Sequence, residues 1–201
     1  MKFNGDNTMF AETIEYKGYN INVYFDDCAE SPLENEVLAH FALFHGRYNL
    51  PNETSIDPDY FNGWGGVEAE IYKRYDVLEC LSVSMYDHSG VLIYEGYPTC
   101  PWDSGRIGFV FLDKARVREW YGVKRISKKV KEKAVAYMRA ELKEYASFVN
   151  GEVYYYKIEN SGGELLDSLS GFIGSDHEES GLLDHARSFI DYEVENSGVA
   201  A

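Results

Sequence analysis

Apolar and polar residues alternate through residues 13–16 and 19–25, with Ile14, Tyr16, Ile21, Val23 and Phe25 at the apolar positions. Lys17-Gly18 separates the two runs, and alternation across a two-residue turn ending in Gly predicts a β-hairpin. The pattern then changes period. Ser31-Pro32-Leu33-Glu34 has the form of a capping box with Pro at the first helical position, and Leu33, Val37, Leu38, Phe41 and Phe44 follow at helical spacing up to Gly46. This predicts a helix from Leu33 to about Phe44. Residues 51–66 are rich in Pro, Asn, Asp and Gly and predict a long loop, followed by a short helix over 67–74. Residues 78–86 and 91–94 predict a second hairpin. Residues 106–112 predict a strand with Ile107, Phe109 and Phe111 on one side.

Three more elements complete the pattern. Asp113 caps a short helix whose Val117, Trp120 and Tyr121 share a face, ended by Gly122. Ser127 caps the longest helix, which runs to about Val149 on the stripe Val130, Ala134, Tyr137, Met138, Leu142, Tyr145 and Phe148. A third hairpin spans 152–159 and 165–172, and an acidic C-terminal helix over about 182–195 buries Leu183, Ala186, Phe189, Ile190 and Val194. Strands and helices in mixed order, without regular βαβ alternation, predict an α+β fold of antiparallel hairpins packed with about four amphipathic helices. One domain over 1–201 is the expected organisation, and the 51–66 loop is the only candidate for an internal boundary.

Charge changes this picture more than composition does. The 201 residues carry a net charge of −15, yet nine of the nineteen Lys and Arg lie between Lys114 and Lys133. Only Glu119 and Glu132 oppose them there, so the window carries +7 and the rest of the chain −22. Lys124, Arg125, Lys128, Lys129, Lys131 and Lys133 surround the start of the longest predicted helix, where cations do nothing for helix stability. Such an end can hold a phosphate or carboxylate, which makes Lys124, Arg125, Lys128, Lys129 and Lys131 candidate anion ligands. Against this stands internal pairing with the protein's own 34 acids, or plain solvation. The net charge also opposes non-specific DNA binding at long range.

The acids concentrate elsewhere. From Glu159 to Glu195 there are ten acids and one base, Arg187. Glu178, Glu179, Asp184, Asp191, Glu193 and Glu195 lie on or just before the last helix and outside its apolar stripe, a candidate partner-binding face. Spaced carboxylates can imitate duplex phosphates, one charge per ~1.7 Å of axis, and so occupy a DNA-binding cleft. The simpler account is that acidity supplies solubility.

Residues with chemistry of their own add little. His40 and His45 are five apart with no Glu between them, and His40 sits beside an apolar stripe as a boundary histidine would. Asp176-His177-Glu178-Glu179 and Asp184-His185 bring imidazole and carboxylate together, but a metal needs ligands from separate elements. Ser104 lacks a nucleophile elbow, with His88 the nearest base in sequence, and Asp103-Ser104-Gly105 reads as a turn. No catalytic, metal or cofactor residues are assigned, and the chain is not expected to be an enzyme. Cys28, Cys80 and Cys100 form no disulfide framework, and no apolar run approaches the ~20 residues of a membrane span. A cytoplasmic location in a host bacterium, with no membrane contact, is the expectation.

The string Cys100-Pro101-Trp102-Asp103-Ser104-Gly105, followed by Gly108, resembles a family of small uncharacterised proteins carried by phages, plasmids and integrative elements, especially of Gram-positive bacteria. His45 to Leu50, Tyr121 to Arg125, Gly151 to Tyr154, and Asp167-Ser168 with Gly171-Phe172 extend the likeness over about Cys28 to Gly174. Leu169-Ser170 departs from it, standing where Cys-Trp is expected. The resemblance implies a mobile-element origin and carries over no catalytic residue. Together these readings lead to the expectation of an anti-defence protein. It would inhibit a restriction or CRISPR system by protein–protein contact through an acidic, DNA-mimicking surface. The alternative is a nucleic-acid- or nucleotide-binding accessory protein that uses the basic segment 114–133.

Overall fold

The computed structural model describes residues 9–88 and 90–197, an α+β arrangement of eight strands and four α-helices. By contact it divides into two compact units, residues 1–32 with 150–201 and residues 33–149. One domain was expected. The 51–66 loop lies wholly inside the second unit, and the divisions fall after Pro32 and Val149 instead.

The first unit is built from the two outer hairpins. β1 (Phe10–Tyr16) and β2 (Tyr19–Phe25) are joined by Lys17 and Gly18, whose φ values of 48° and 83° are both positive, as the twist-matched two-residue turn requires. β7 (Val153–Glu159) and β8 (Leu165–Ile173) form the second hairpin, and β2 pairs antiparallel with β7, giving the order β1-β2-β7-β8. Period-two apolar residues of β2 and β7 project to one face. There Ile21, Val23, Tyr154, Tyr156 and Ile158 meet Leu182, Leu183, Ala186 and Ile190 of α4 (Leu182–Ser197). The helical spacing of those four residues is why α4 lies on the sheet, each buried Leu or Ile side chain being worth roughly 1.5–3 kcal/mol.

The second unit has a sheet covered on both faces. β3 (His40–Leu43), β4 (Val77–Asp87), β5 (Val91–Glu95) and β6 (Ser104–Asp113) pair antiparallel in the order β3-β6-β4-β5. On one face α2 (Lys114–Trp120) and α3 (Lys128–Val149) cover the sheet, with Val117, Ala134, Met138, Leu142 and Tyr145 against Leu81, Val83, Val110 and Leu112. On the other, α1 (Trp64–Arg74) places Val67 and Ile71 against Ala42, Phe109 and Phe111. Asp113 caps α2 by accepting from the N–H groups of Ala115 and Arg116, and Ser127 Oγ accepts from Val130 N at the start of α3.

Two expectations are corrected. The predicted helix over Leu33–Phe44 is a single 3-10 turn at Pro32–Glu34 followed by β3, whose four residues are all buried. A continuous apolar run fits a strand buried on both faces as well as it fits a helix, and pairing with β6 decides between them. The other concerns β6. Ile107 packs with the α2–α3 side while Phe109 and Phe111 pack with α1, although all three are odd-numbered. The β4–β6 register shifts between Val83 and Ser84, whose partners are Gly108 and Arg106, so Ile107 is the bulged residue and strand parity inverts there.

Gly108 makes this possible. Its φ is +146°, and a Cβ at this position would lie 2.0 Å from the carbonyl oxygen of Ala42 on β3. Gly46, in contrast, has nothing within 4 Å of such an atom. Gly108→Ala is expected to cost at least about 3 kcal/mol, whereas Gly46→Ala should stay within about 0.5 kcal/mol. Urea unfolding of the two variants beside the parent protein measures both.

Candidate functional site

The basic window folds into a concave surface. Lys114 and Arg118 of α2, Lys124 and Arg125 of the connection, and Lys128 and Lys131 of α3 line a cavity of about 340 Å³ with Leu78, Ile126 and Ser127. Four of the six cations reach a carboxylate. Lys114 and Arg118 share Asp76, Lys131 lies 2.9 Å from Glu79, and Lys128 lies 3.8 Å from Glu132. All these acids belong to the same unit. Lys124 and Arg125 are exposed and have no ion-pair partner among the described residues, as is true of Lys129 and Lys133 outside the cavity. Of the sequence candidates, the structure therefore gathers Lys124, Arg125, Lys128 and Lys131 and leaves Lys129 out. Lys114 and Arg118 join them from α2, which spacing along α3 could not reveal.

The acidic candidates are divided. Glu178 is held by Arg187 at 2.8 Å, and Asp191 is held by Lys17 at 2.8 Å, so both spend charge internally. The Lys17 hydrogen bond keeps the Asp191 carboxyl below its ordinary range. Asp184 and Glu195 are exposed without an ion pair among the described residues, while Glu179 and Glu193 have partners of their own. The larger regularity is regional. The unit formed by 1–32 and 150–201 has 17 acids and 4 bases, whereas 33–149 has 17 acids and 15 bases. One of those four bases, Lys157, lies over the stacked rings of Tyr24 and Tyr155. Sequence reasoning found the C-terminal acids but missed Glu15, Asp27 and Glu30, which are exposed in the same unit.

In the Cys100 to Gly105 string, Pro101 to Asp103 form a turn, and Ser104 and Gly105 open β6 rather than continuing the turn that the sequence suggests. Ser104 Oγ donates to Cys100 O at 2.6 Å and accepts from Cys100 N at 2.7 Å, so its hydroxyl is committed to the backbone. His88 lies 3.6 Å from Asp103, and Asp103 O accepts from Asp87 N. Trp102 at the tip is 90% exposed. Cys80 is different, since burial pushes its thiol up to about 12 and makes it a poor nucleophile.

The C-terminal histidines join the first unit's own packing. His177 Nε2 lies 3.2 Å from Glu12, with its ring edge-on to Tyr154. His185 Nδ1 lies 2.9 Å from the hydroxyl of the fully buried Tyr156, which donates to Asp167 at 2.8 Å. Burial first, then the Asp167 carboxylate, pushes that phenol well above its ordinary value. Among the described residues no three His, Cys, Asp or Glu side chains gather where a metal could bind.

A polar cluster in the second unit had no signal in sequence. Glu141, on the buried side of α3, accepts from Leu38 N at 2.6 Å and Ala39 N at 2.9 Å. Arg116 donates to Ala39 O and to both oxygens of Glu53, and His40 Nδ1 lies 2.9 Å from Glu53. Glu53 and Arg116 form part of the wall of a cavity of about 630 Å³ that also includes Glu36, Glu119 and Trp120. Burial raises the Glu141 carboxyl, despite its backbone donors. Burial would raise Glu53 too, but hydrogen bonds from His40 and Arg116 outweigh it and hold that carboxyl at about 2.

Comparisons with protein-family models, with curated proteins and with solved structures return no match. Among the described residues no helix is long and apolar enough to cross a membrane.

The Glu53 value sets a pH dependence. A carboxyl lowered on folding binds fewer protons folded than unfolded, so its contribution is complete above its ordinary value of 4.5 and is lost as pH falls towards about 2. Half-exposure makes that contribution modest. The stability difference between the parent and Glu53→Gln should shrink steadily as pH falls below 4.5. Urea midpoints at stepped pH check this, and a difference that holds down to about pH 2 contradicts it.

Proposed function

We propose that this protein acts by contact, its acidic unit occupying a protein surface that otherwise holds nucleic acid. The observation that carries the reading is the concentration of charge. Residues 1–32 and 150–201 hold a net −13, with Lys17 paired to Asp191 and Arg187 to Glu178. A field of this sign and size raises the encounter rate with basic clefts and repels nucleic acid itself. Asp184 and Glu195, exposed and without an ion pair among the described residues, stand in for backbone phosphates. The resemblance of the Cys100 to Gly105 region to mobile-element proteins supports a host defence complex of the restriction or CRISPR type as the target. In that setting the protein works inside the host bacterium, as an inhibitor rather than an enzyme.

Expressed in bacteria carrying defined restriction or CRISPR systems, the protein should raise phage plating on at least one of them. In vitro it should displace DNA from that effector, and added salt should weaken the displacement. Asp184→Lys with Glu195→Lys should reduce displacement by about ten-fold or more, because two repulsive charges replace two attractive ones. Unchanged plating across the panel, with no displacement of DNA from any effector, would sink the proposal.

A further inference from the structure

We propose that the cavity between α2 and the start of α3 binds a short phosphate oligoanion, such as the triphosphate of a nucleotide or a free inorganic chain of that length. Its volume of about 340 Å³ falls within the range of small-molecule sites. Six cations line it, and no carboxylate does. The acids that neutralise part of this charge, Asp76, Glu79 and Glu132, hold four of the cations and leave an excess of three. Like charges about 4 Å apart repel by about 1 kcal/mol even in water. An anion of comparable charge offsets this repulsion.

The lining also narrows the ligand. Lys124 and Arg125 are adjacent, exposed and without an ion pair among the described residues, so both are available to a ligand at no cost to packing. Arg supplies a planar fork that matches two phosphate oxygens, and Lys supplies a mobile point charge. Leu78 and Ile126 are the only apolar residues in the lining, beside the aliphatic stems of the Lys and Arg side chains, and no aromatic ring lines the cavity to stack a base. Recognition therefore falls on the phosphates. A nucleoside, if attached, lies outside. The inference is independent of the acidic-unit reading, because its residues all lie within 33–149 and the two sets of variants do not overlap.

Isothermal titration of the full chain with inorganic tripolyphosphate, at low and at higher salt, tests the proposal. One saturable site per chain is expected, weakening with salt. Lys124→Glu and Arg125→Glu should each lower affinity about ten-fold or more. Lys133→Glu makes the same charge change on an exposed, unpaired residue outside the cavity and should have a much smaller effect. Unchanged melting temperatures in all three variants separate loss of binding from loss of fold. Parallel titration with ATP distinguishes the sources. Equal affinity assigns the shared phosphate chain, tighter ATP assigns a nucleotide, and tighter tripolyphosphate assigns the free chain. Absence of saturable binding by either, or equal losses in Lys133→Glu and Arg125→Glu, overturns the proposal. So does a single-stranded oligonucleotide that binds here and that tripolyphosphate fails to displace, since that outcome describes a nucleic-acid groove.

Discussion

Burial of β6 on both faces is the constraint on which the second unit rests. β6 lies between β3 and β4, with Val110 and Leu112 under α2 and α3, and Phe109 and Phe111 under α1. A strand in that position cannot place polar side chains on either face, which explains the unbroken buried run from Ile107 to Leu112. The same crowding brings the backbones of β3 and β6 so close at Gly108 that no side chain fits there. The bulge beside it reverses strand parity, so one strand serves two differently composed cores.

Around this centre the polar groups divide into those that hold the fold and those left over. Glu141 illustrates the first kind. A carboxylate on the covered side of α3 is costly unless its oxygens find donors, and the N–H groups of Leu38 and Ala39 provide them just before β3 begins. Arg116 and Glu53 extend the arrangement to α2 and to the loop after β3. Lys124 and Arg125 illustrate the second kind. They contribute nothing visible to packing, and their charge is directed at solvent and at whatever solvent carries.

Charge is sorted between the two units far more strongly than along any single helix. The inserted residues 33–149 are nearly balanced, while the flanking segments that form the other unit carry most of the net charge. Electrostatic sorting on this scale does not stabilise a fold, because like charges within one unit repel. It matters for association, where sign and geometry set which surfaces meet and how fast. The acidic unit and the basic cavity thus carry opposite charge, and neither depends on the other's residues.

Much of this was legible in the amino-acid sequence because it depends on neighbours a few residues apart. The three hairpins follow from alternation and turn residues, and α2, α3 and α4 from caps and apolar stripes at helical spacing. The basic window was equally plain. Other features depend on pairing between distant residues, for which local pattern has no signal. The apolar run at 38–44 satisfies a helix and a buried strand equally, and only β6 decides for the strand. Ile107 changes face because β4 shifts register beside it. The two units were hidden because β2 and β7 pair in one sheet although residues 33–149 lie between them in the chain. The inward carboxylate of Glu141 looked like an ordinary polar position on a helix. The cavity is the clearest case. Its charge was written in residues 114–133, but its shape exists only because α2 and α3 fold over Leu78 and bring two helices' cations around one space.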